Sequence, residues 1–146
     1  MPAYTSPQLS NNGNFVTQGA FPANMVCYFA EVTITANLAN GDTFNFFRVP
    51  KGFRVLGGCL EASDLDTNGT PTVTINIGDS GSANRFFAAS TVGQAGTADR
   101  ALAVAGQHYL FTDDTTVTGI VPTGPATGTT GTVSLSLWGR FEGSAS

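Results

Sequence analysis

The chain has 146 residues, a formal net charge of −4 and only 11% charged residues, against 41% hydrophobic ones. This is the size of one domain, large enough to bury a core without disulfides. With Lys51 as the only lysine and the arginines dispersed, the sequence excludes the basic patch of a nucleic-acid binder, and no apolar run is long enough for a membrane helix.

The first 24 residues are polar and rich in Asn, Gly and Pro, without a regular period. They predict an extended N-terminal arm over 1–24, in front of a single β-sandwich domain over 25–146. Phe15 and Phe21 are candidate anchors of this arm, either to a partner or to its own domain. The arm lacks the basic and apolar parts of a signal peptide, so we expect synthesis in the cytoplasm.

A strand signal begins at Val26. Apolar residues occupy the even positions from 26 to 36, and polar residues occupy the odd positions from Glu31 onwards, which predicts a strand with one buried face. Cys27 and Phe29 interrupt the polar face at its start. Pairing of Cys27 with Cys59 stays open, but both lie in apolar strands, where a free cysteine behaves as a small hydrophobe.

The stretch FRVPKGFRV repeats a Phe-Arg-Val triplet around Pro50-Lys51-Gly52. Before it, Phe44 and Phe46 alternate with Phe47 and Val49, so both faces of this strand are apolar. We expect one face to contact the core and the other to contact a partner. Pro50 and Gly52 fit the φ angles of a tight turn, which either closes a hairpin or carries the chain from one sheet to another.

The remaining segments give further short elements. Residues 72–77 and 133–141 alternate as strands, and 115–121 is another; the Thr/Gly-rich loop 124–132 precedes the last of these. Further predicted elements are a short helical turn over 82–90 and strands over 101–105 and 107–112. About eight short strands separated by turns predict an all-β fold, an antiparallel sandwich or barrel.

Gly78-Asp79-Ser80-Gly81 matches the tetrapeptide around the nucleophile of chymotrypsin-like proteases. A serine nucleophile needs a histidine base that is oriented by a carboxylate. The only histidine, His108, follows the serine, whereas that family places its histidine before it. Gly, Asp and Ser are common turn formers, so a turn explains the tetrapeptide and the chain is predicted not to be an enzyme.

Asp64, Asp66 and Asn68 match the first half of an EF-hand calcium loop. The twelfth position, which supplies a bidentate Glu in that loop, is Ile75 here. These three residues are therefore weak metal candidates, and a polar connection between strands is the favoured interpretation. The sequence predicts no cofactor. Gly57-Gly58 within an apolar run indicates a bulge or a close approach of two backbones.

Trp138 lies on the otherwise polar face of the last strand, next to Arg140 and near Glu142. Aromatic residues and arginine are enriched in protein interfaces. We therefore favour an assembly surface around Trp138. The alternative is a carbohydrate site that uses Trp138 with Glu142.

Residues 44–79 (FNFFRVPKGFRVLGGCLEASDLDTNGTPTVTINIGD) and 116–142 (TVTGIVPTGPATGTTGTVSLSLWGRFE) resemble the capsid cement, or decoration, proteins of tailed bacteriophages. The resemblance covers roughly residues 26–142. It consists of the strand order, the Pro-x-Gly-Phe-Arg-Val turn and the Thr/Gly-rich loop before the last strand, and it implies a jelly roll.

The resemblance implies a non-enzymatic virion protein on the outer surface of the phage head, bridging subunits of the major capsid protein. It also implies a homo-oligomer, a dimer or a trimer. The main alternative is a carbohydrate- or receptor-binding jelly-roll module of a fibre or minor virion protein. The expected interface anchors, taken from the two-faced patterning, are Phe15, Phe21, Phe47, Arg48, Lys51, Arg54 and Trp138.

Overall fold

The computed structural model describes residues 25–142, so the predicted arm lies outside the described residues. The described chain contains eight strands and two short 3-10 helices, Val92–Gln94 and Val104–Gly106. The strands are β1 (Met25–Ile34), β2 (Thr43–Val49), β3 (Phe53–Ala62), β4 (Thr74–Gly78), β5 (Phe87–Ser90), β6 (Ala98–Asp99), β7 (Thr115–Thr123) and β8 (Gly131–Phe141). Within this range no helix is long and apolar enough to cross a membrane.

The strands form two antiparallel four-stranded sheets. The first sheet has the order β1-β8-β3-β6 and the second has the order β2-β7-β4-β5. Consecutive strands lie in different sheets, except β4 and β5, which pair with each other in the second sheet. This is the strand order of an eight-stranded jelly roll. The predicted all-β sandwich is confirmed.

The core lies between the sheets and is built from alternate residues of each strand. In β8, Val133, Leu135 and Leu137 are fully buried, while the residues between them are only half-buried, as period-2 patterning requires. The even positions of β1 also point inward, as predicted, although at this edge most of them are half-buried. Several aromatic rings fill the centre in contacting pairs, namely Tyr28, Phe53, Phe86, Tyr109 and Phe111.

The prediction that β2 offers one apolar face to a partner is wrong. A register shift between Asn45 and Phe47 introduces a bulge, which reverses the alternation in the middle of the strand. Phe44, Phe46 and Val49 are consequently all buried in the core.

The turn at Pro50-Lys51-Gly52 joins the two sheets, because it connects β2 of the second sheet to β3 of the first. This was the second of the two predicted alternatives. Gly52 has φ +94°, a left-handed conformation that glycine adopts without steric cost.

The predicted elements between 82 and 112 are partly wrong. Phe86 and Phe87 are buried as expected, but residues 82–86 form turns rather than a helix, and β5 follows directly. Residues 101–112 form a 3-10 turn and an isolated bridge instead of two strands. Apolar and polar residues alternate in this segment, but the apolar ones are not all buried, since Val104 is 87% exposed. The backbone N–H of Ala103 donates to the carbonyl oxygen of Phe86 and not to a long neighbouring strand.

Candidate interaction surface

The outer face of the first sheet carries the exposed apolar residues of the sandwich. Met25 and Phe29 of β1 are 56% and 64% exposed, and Leu56 of β3 is 42% exposed. Trp138 lies between these two strands, opposite Cys27 of β1 and Gly57 of β3. Among the described residues, every large apolar side chain that is exposed in a strand belongs to this sheet.

The outer face of the second sheet is different in character. Its exposed positions carry small or polar side chains, such as Thr43, Asn45 and Arg48 of β2, Ala88 of β5 and Thr116 of β7. A contiguous apolar patch on one side only is typical of a surface that is covered in an assembly. The first sheet is therefore the face that a partner is expected to cover.

A bulge in β3 creates the space in which the indole of Trp138 lies. The pairing of β3 with β8 shifts register between Val55 and Gly57, as the Gly57-Gly58 pair predicted. A methyl group on Gly57 would lie 2.5 Å from Cε2 of Trp138, so the ring packs directly on the glycine backbone. Leu56 is the extra residue of this bulge and is exposed.

Replacing Gly57 by alanine is expected to lift the indole off the sheet and to red-shift tryptophan fluorescence. Trp138 is the only tryptophan, so the emission reports on this contact alone. We expect a loss of about 1 kcal/mol in the free energy of unfolding, because the half-exposed ring moves aside instead of straining the core. Gly69→Ala is the control, since nothing lies within 4 Å of a methyl group there. An unchanged emission maximum in Gly57→Ala would contradict this packing.

A polar rim borders the apolar residues. Arg100, Gln107 and His108 line a cleft of about 220 Å³ beside Leu56 and Gly57. An apolar centre with a polar rim is the usual anatomy of a protein–protein interface.

Arg54 and Arg140 lie opposite each other at one end of this face and share Glu142. The Nε of Arg54 donates to Oε2 of Glu142 at 2.8 Å, and Nη2 of Arg140 donates to the same oxygen at 2.9 Å. The hydrogen bond from Arg54, and then that from Arg140, lowers the pKa of Glu142 to about 2. Glu142 is thus engaged by two arginines.

The predicted anchors are distributed over three regions of the sandwich. Arg54 and Trp138 belong to the outer face of the first sheet, whereas Arg48 and the turn residue Lys51 lie near Asp114 at one end. Phe47 is half-buried and stacks on Tyr28, with 5.6 Å between ring centroids. Phe15 and Phe21 fall outside the described residues.

Asp66 organises the loop connections instead of standing open as a metal ligand. Its carboxylate is 1% exposed and accepts five backbone N–H groups, those of Asn68, Thr72, Val73, Ala126 and Thr127, at 2.7–3.3 Å. Burial alone would raise the pKa of Asp66, but the hydrogen bonds from the backbone outweigh it and lower the pKa well below its usual range. Within residues 25–142, no group of three or more potential ligand side chains is suited to a metal ion.

The region around Ser80 is a structural turn. The buried Asp79 accepts hydrogen bonds from the backbone N–H groups of Gly81 and Ser82, and Nε of Arg85 donates to it at 2.8 Å. Arg85 in turn stacks on Tyr109. Ser80 itself lines a shallow cleft whose other residues are aspartates and threonines, without a histidine.

Cys27 and Cys59 are both free thiols. They lie on strands that flank β8, paired with Trp138 and Ser136 respectively. Two strand spacings separate them by about 10 Å, beyond the roughly 7 Å that a disulfide spans. Burial, and then a hydrogen bond to Glu61, raises the pKa of the Cys59 thiol.

The chain is similar to chains in solved phage capsid structures. A chain in the cyanophage Pam1 capsid asymmetric unit shares 39% sequence identity with a TM-score of 0.74, covering 81% of this chain and 85% of that one. A chain in the capsid of Ralstonia phage GP4 shares 32% identity with a TM-score of 0.75, covering 82% and 86%. No protein-family model and no curated protein matches.

A third similar chain, from the acidic stable capsid structure of Helicobacter pylori bacteriophage KHP30, has 17% identity and a TM-score of 0.58, covering 82% of this chain and 90% of that one. At this identity the likeness shows the fold alone. The identities and coverage of the first two show that this chain belongs to a family of bacteriophage capsid proteins. It is a virion structural protein, consistent with the predicted phage resemblance.

Sequence reasoning missed Met25, Phe29 and Leu56 as parts of the surface. The signal for Phe29 was present, since Cys27 and Phe29 interrupt the polar face of β1. The position of Leu56 was ambiguous in the sequence, because alternation with Phe53 and Val55 places it outside whereas alternation with Leu60 places it inside. The bulge between Val55 and Gly57 allows Leu56 to be exposed while Leu60 is buried.

Proposed function

We propose that this chain is a cement protein, which binds the outside of the assembled phage head and bridges subunits of the major capsid protein. In this role it acts without catalysis and as a homo-oligomer. The observation that carries the proposal is the one-sided apolar face around Trp138 and Leu56, in a chain of a capsid protein family.

The chemistry of this face favours docking on protein over docking on sugar. A carbohydrate site needs carboxylates or amides that are free to bind hydroxyl groups beside the aromatic ring. The carboxylate of the predicted carbohydrate site, Glu142, is already held by Arg54 and Arg140. The apolar centre instead suits the burial of a complementary protein surface.

The energetic logic of cementing is mass action. A protein that binds only the assembled shell stabilises it in proportion to the logarithm of the free protein concentration over Kd. Many copies with modest individual affinity therefore strengthen the shell together. Because the chain carries few charges, we expect this binding to depend little on salt.

The test is co-sedimentation of the purified protein with emptied phage heads that lack it. We expect saturable binding to heads, no binding to unassembled major capsid protein, and a higher temperature of head disruption on addition. Binding that persists at high salt supports an apolar contact. A protein that ignores heads and instead binds a glycan array would overturn the proposal in favour of a receptor-binding module.

A further inference from the structure

Three Asn-Gly pairs occur in the sequence, at residues 12–13, 40–41 and 68–69. The first pair lies outside the described residues. In the other two pairs, both residues are exposed and lie in connections between strands. Asn68 belongs to the 64–69 motif that matches half of a calcium loop. The fold therefore places the same dipeptide in two different hydrogen-bonded settings.

An asparagine that precedes a glycine can cyclise without an enzyme. The backbone nitrogen of the glycine attacks Cγ of the asparagine and closes a five-membered imide. Because both groups belong to one chain, the reaction needs no binding step. Glycine favours the closure, since it has no Cβ to crowd the attacking nitrogen and restricts the backbone least. In a folded chain the reaction then depends on whether this nitrogen is able to approach Cγ.

The backbone nitrogen of Gly41 is held in place. Its N–H donates to the carbonyl oxygen of Val121 at 2.8 Å, and the N–H of Val121 donates back to the carbonyl oxygen of Asp42 at 2.9 Å. These two bonds continue the pairing of β2 with β7 beyond the end of β2. Attack on Cγ of Asn40 requires that the bond from Gly41 be broken, so the fold protects Asn40.

The backbone nitrogen of Gly69 is not held in this way. Its N–H has no hydrogen-bond acceptor among residues 25–142, and nothing lies within 4 Å of a methyl group placed on this glycine. The N–H of Thr70 donates to Oδ1 of Asn68 at 2.9 Å. This oxygen gains negative charge when Gly69 attacks Cγ, and a hydrogen bond aimed at developing charge favours the transition state.

We propose that Asn68 is a site of spontaneous deamidation through attack of the Gly69 nitrogen on Cγ. The N–Cγ bond forms and the Cγ–Nδ2 bond breaks, and the amide proton of Gly69 leaves with Nδ2 as ammonia. One water then opens the imide. Attack of water at Cγ leaves aspartate at this position, whereas attack at the backbone carbonyl carbon of residue 68 leaves isoaspartate, in which the main chain runs through Cγ.

Deamidation removes a contact between the two loops that Asp66 joins. Nδ2 of Asn68 donates to Oγ1 of Thr127 at 2.9 Å, and a carboxylate has no hydrogen to donate. Isoaspartate also lengthens the backbone between Asp66 and Thr72, whose N–H donates to the Asp66 carboxylate at 2.7 Å. The loop 124–132 therefore loosens as the protein ages, and this change is a property of the free protein that does not depend on the proposed function.

Peptide mapping over time tests the site. Cleavage after Glu31 and Glu61 separates the three Asn-Gly pairs into different peptides, in which tandem mass spectrometry locates each conversion of amide to acid. At mildly alkaline pH the native protein is expected to convert Asn68 at least about tenfold faster than Asn40, the ratio that one retained hydrogen bond produces. In urea, where the bond from Gly41 is lost, the two rates are expected to be comparable. Equal native rates, or faster conversion of Asn40, would overturn the proposal.

Gly69→Ala tests the nucleophile. The methyl group crowds the attacking nitrogen, so conversion of Asn68 is expected to slow by about tenfold or more. The fold tolerates this change, since nothing lies within 4 Å of the added methyl group. Isoaspartate, detected by enzymatic methylation of its carboxylate, is expected to accumulate at this position in the aged parent and to be nearly absent there in the variant. An undiminished rate in Gly69→Ala would show that another group attacks Cγ, and would refute the mechanism.

Asn68→Asp and Asn40→Asp test the consequence for the loop 124–132. Asn68 is a donor to this loop, whereas Asn40 is an acceptor, since its Oδ1 accepts the N–H of Gly124 at 2.5 Å. Aspartate keeps the acceptor and loses the donor. Amide hydrogen exchange in the loop is therefore expected to become faster in Asn68→Asp and to stay unchanged in Asn40→Asp. Equal exchange in the two variants would contradict the loosening of the loop by deamidation.

Discussion

Asp66→Asn is expected to lower the Tm by several degrees and to loosen the loop of residues 124–132. The carboxylate accepts N–H groups from its own connection and from Ala126 and Thr127, which are 60 and 61 residues away in the sequence. Asparagine keeps one acceptor oxygen and turns an NH₂ group toward backbone N–H donors. Buried donors without acceptors are costly, so the loop is expected to separate from residues 66–73.

The effect of Asp66 depends on pH in a defined direction. The pKa of Asp66 in the folded protein is lower than the value of about 3.9 in an unfolded chain. The ionised carboxylate therefore contributes its full stabilisation at pH values above the unfolded-state pKa. As the pH falls toward the folded-state pKa, the contribution is lost. We therefore expect the parent to lose stability from about pH 5 downwards, and Asp66→Asn to show a shallower dependence. Some dependence remains, because Glu142 has a lowered pKa as well.

Chemical denaturation between pH 7 and pH 3, with circular dichroism as the readout, measures both effects. Asp64→Asn is the matched control, since Asp64 is exposed and accepts one hydrogen bond, from the N–H of Asp66. The free energy of unfolding of Asp64→Asn is expected to stay within about 0.5 kcal/mol of that of the parent. Equal stability of Asp66→Asn and Asp64→Asn at pH 7 would contradict the role of Asp66 in holding the loop.

The role of Asp66 also shows where sequence reasoning reaches its limit. The local pattern at 64–69 matched a calcium loop, but the donors that occupy the carboxylate come from a Thr/Gly-rich loop far along the chain. Long-range partners of this kind leave no local signal. The strand faces of β1 and β8, in contrast, follow directly from alternation, because burial of one face imposes period 2 on the residues themselves.

Bulges account for the main errors in the predicted surface. At β2 one extra residue turns Phe44, Phe46 and Val49 inward together. At β3 another leaves Leu56 exposed while Leu60, which would share its face in a regular strand, is buried. A bulge is defined by the register of two strands, so one strand's sequence does not specify it, although Gly57-Gly58 marks the second one. The two strands predicted between residues 101 and 112 were wrong for a related reason, because this part of the described chain has no long partner strand to pair with.

Leu56→Asp is expected to weaken binding to phage heads by at least about tenfold, the loss that 1.4 kcal/mol produces at a central interface residue. The physical reason is that the carboxylate must leave water when the apolar face is covered, with no partner placed to receive it. The fold is expected to tolerate the change, because Leu56 is 42% exposed before binding. Binding is measured by co-sedimentation over a range of protein concentrations.

Asn45→Asp provides the control for Leu56→Asp, since it adds the same negative charge to the polar outer face of the second sheet. It is expected to bind heads as the parent does. Both variants are expected to fold as the parent does, because Leu56 and Asn45 are both exposed. If Asn45→Asp lost binding while Leu56→Asp kept it, the second sheet would be the face that contacts the shell. If both variants bound heads as the parent does, neither sheet face would be the docking surface. The ends of the sandwich would then be the candidate contact, including the end where Arg48 and Lys51 lie near Asp114.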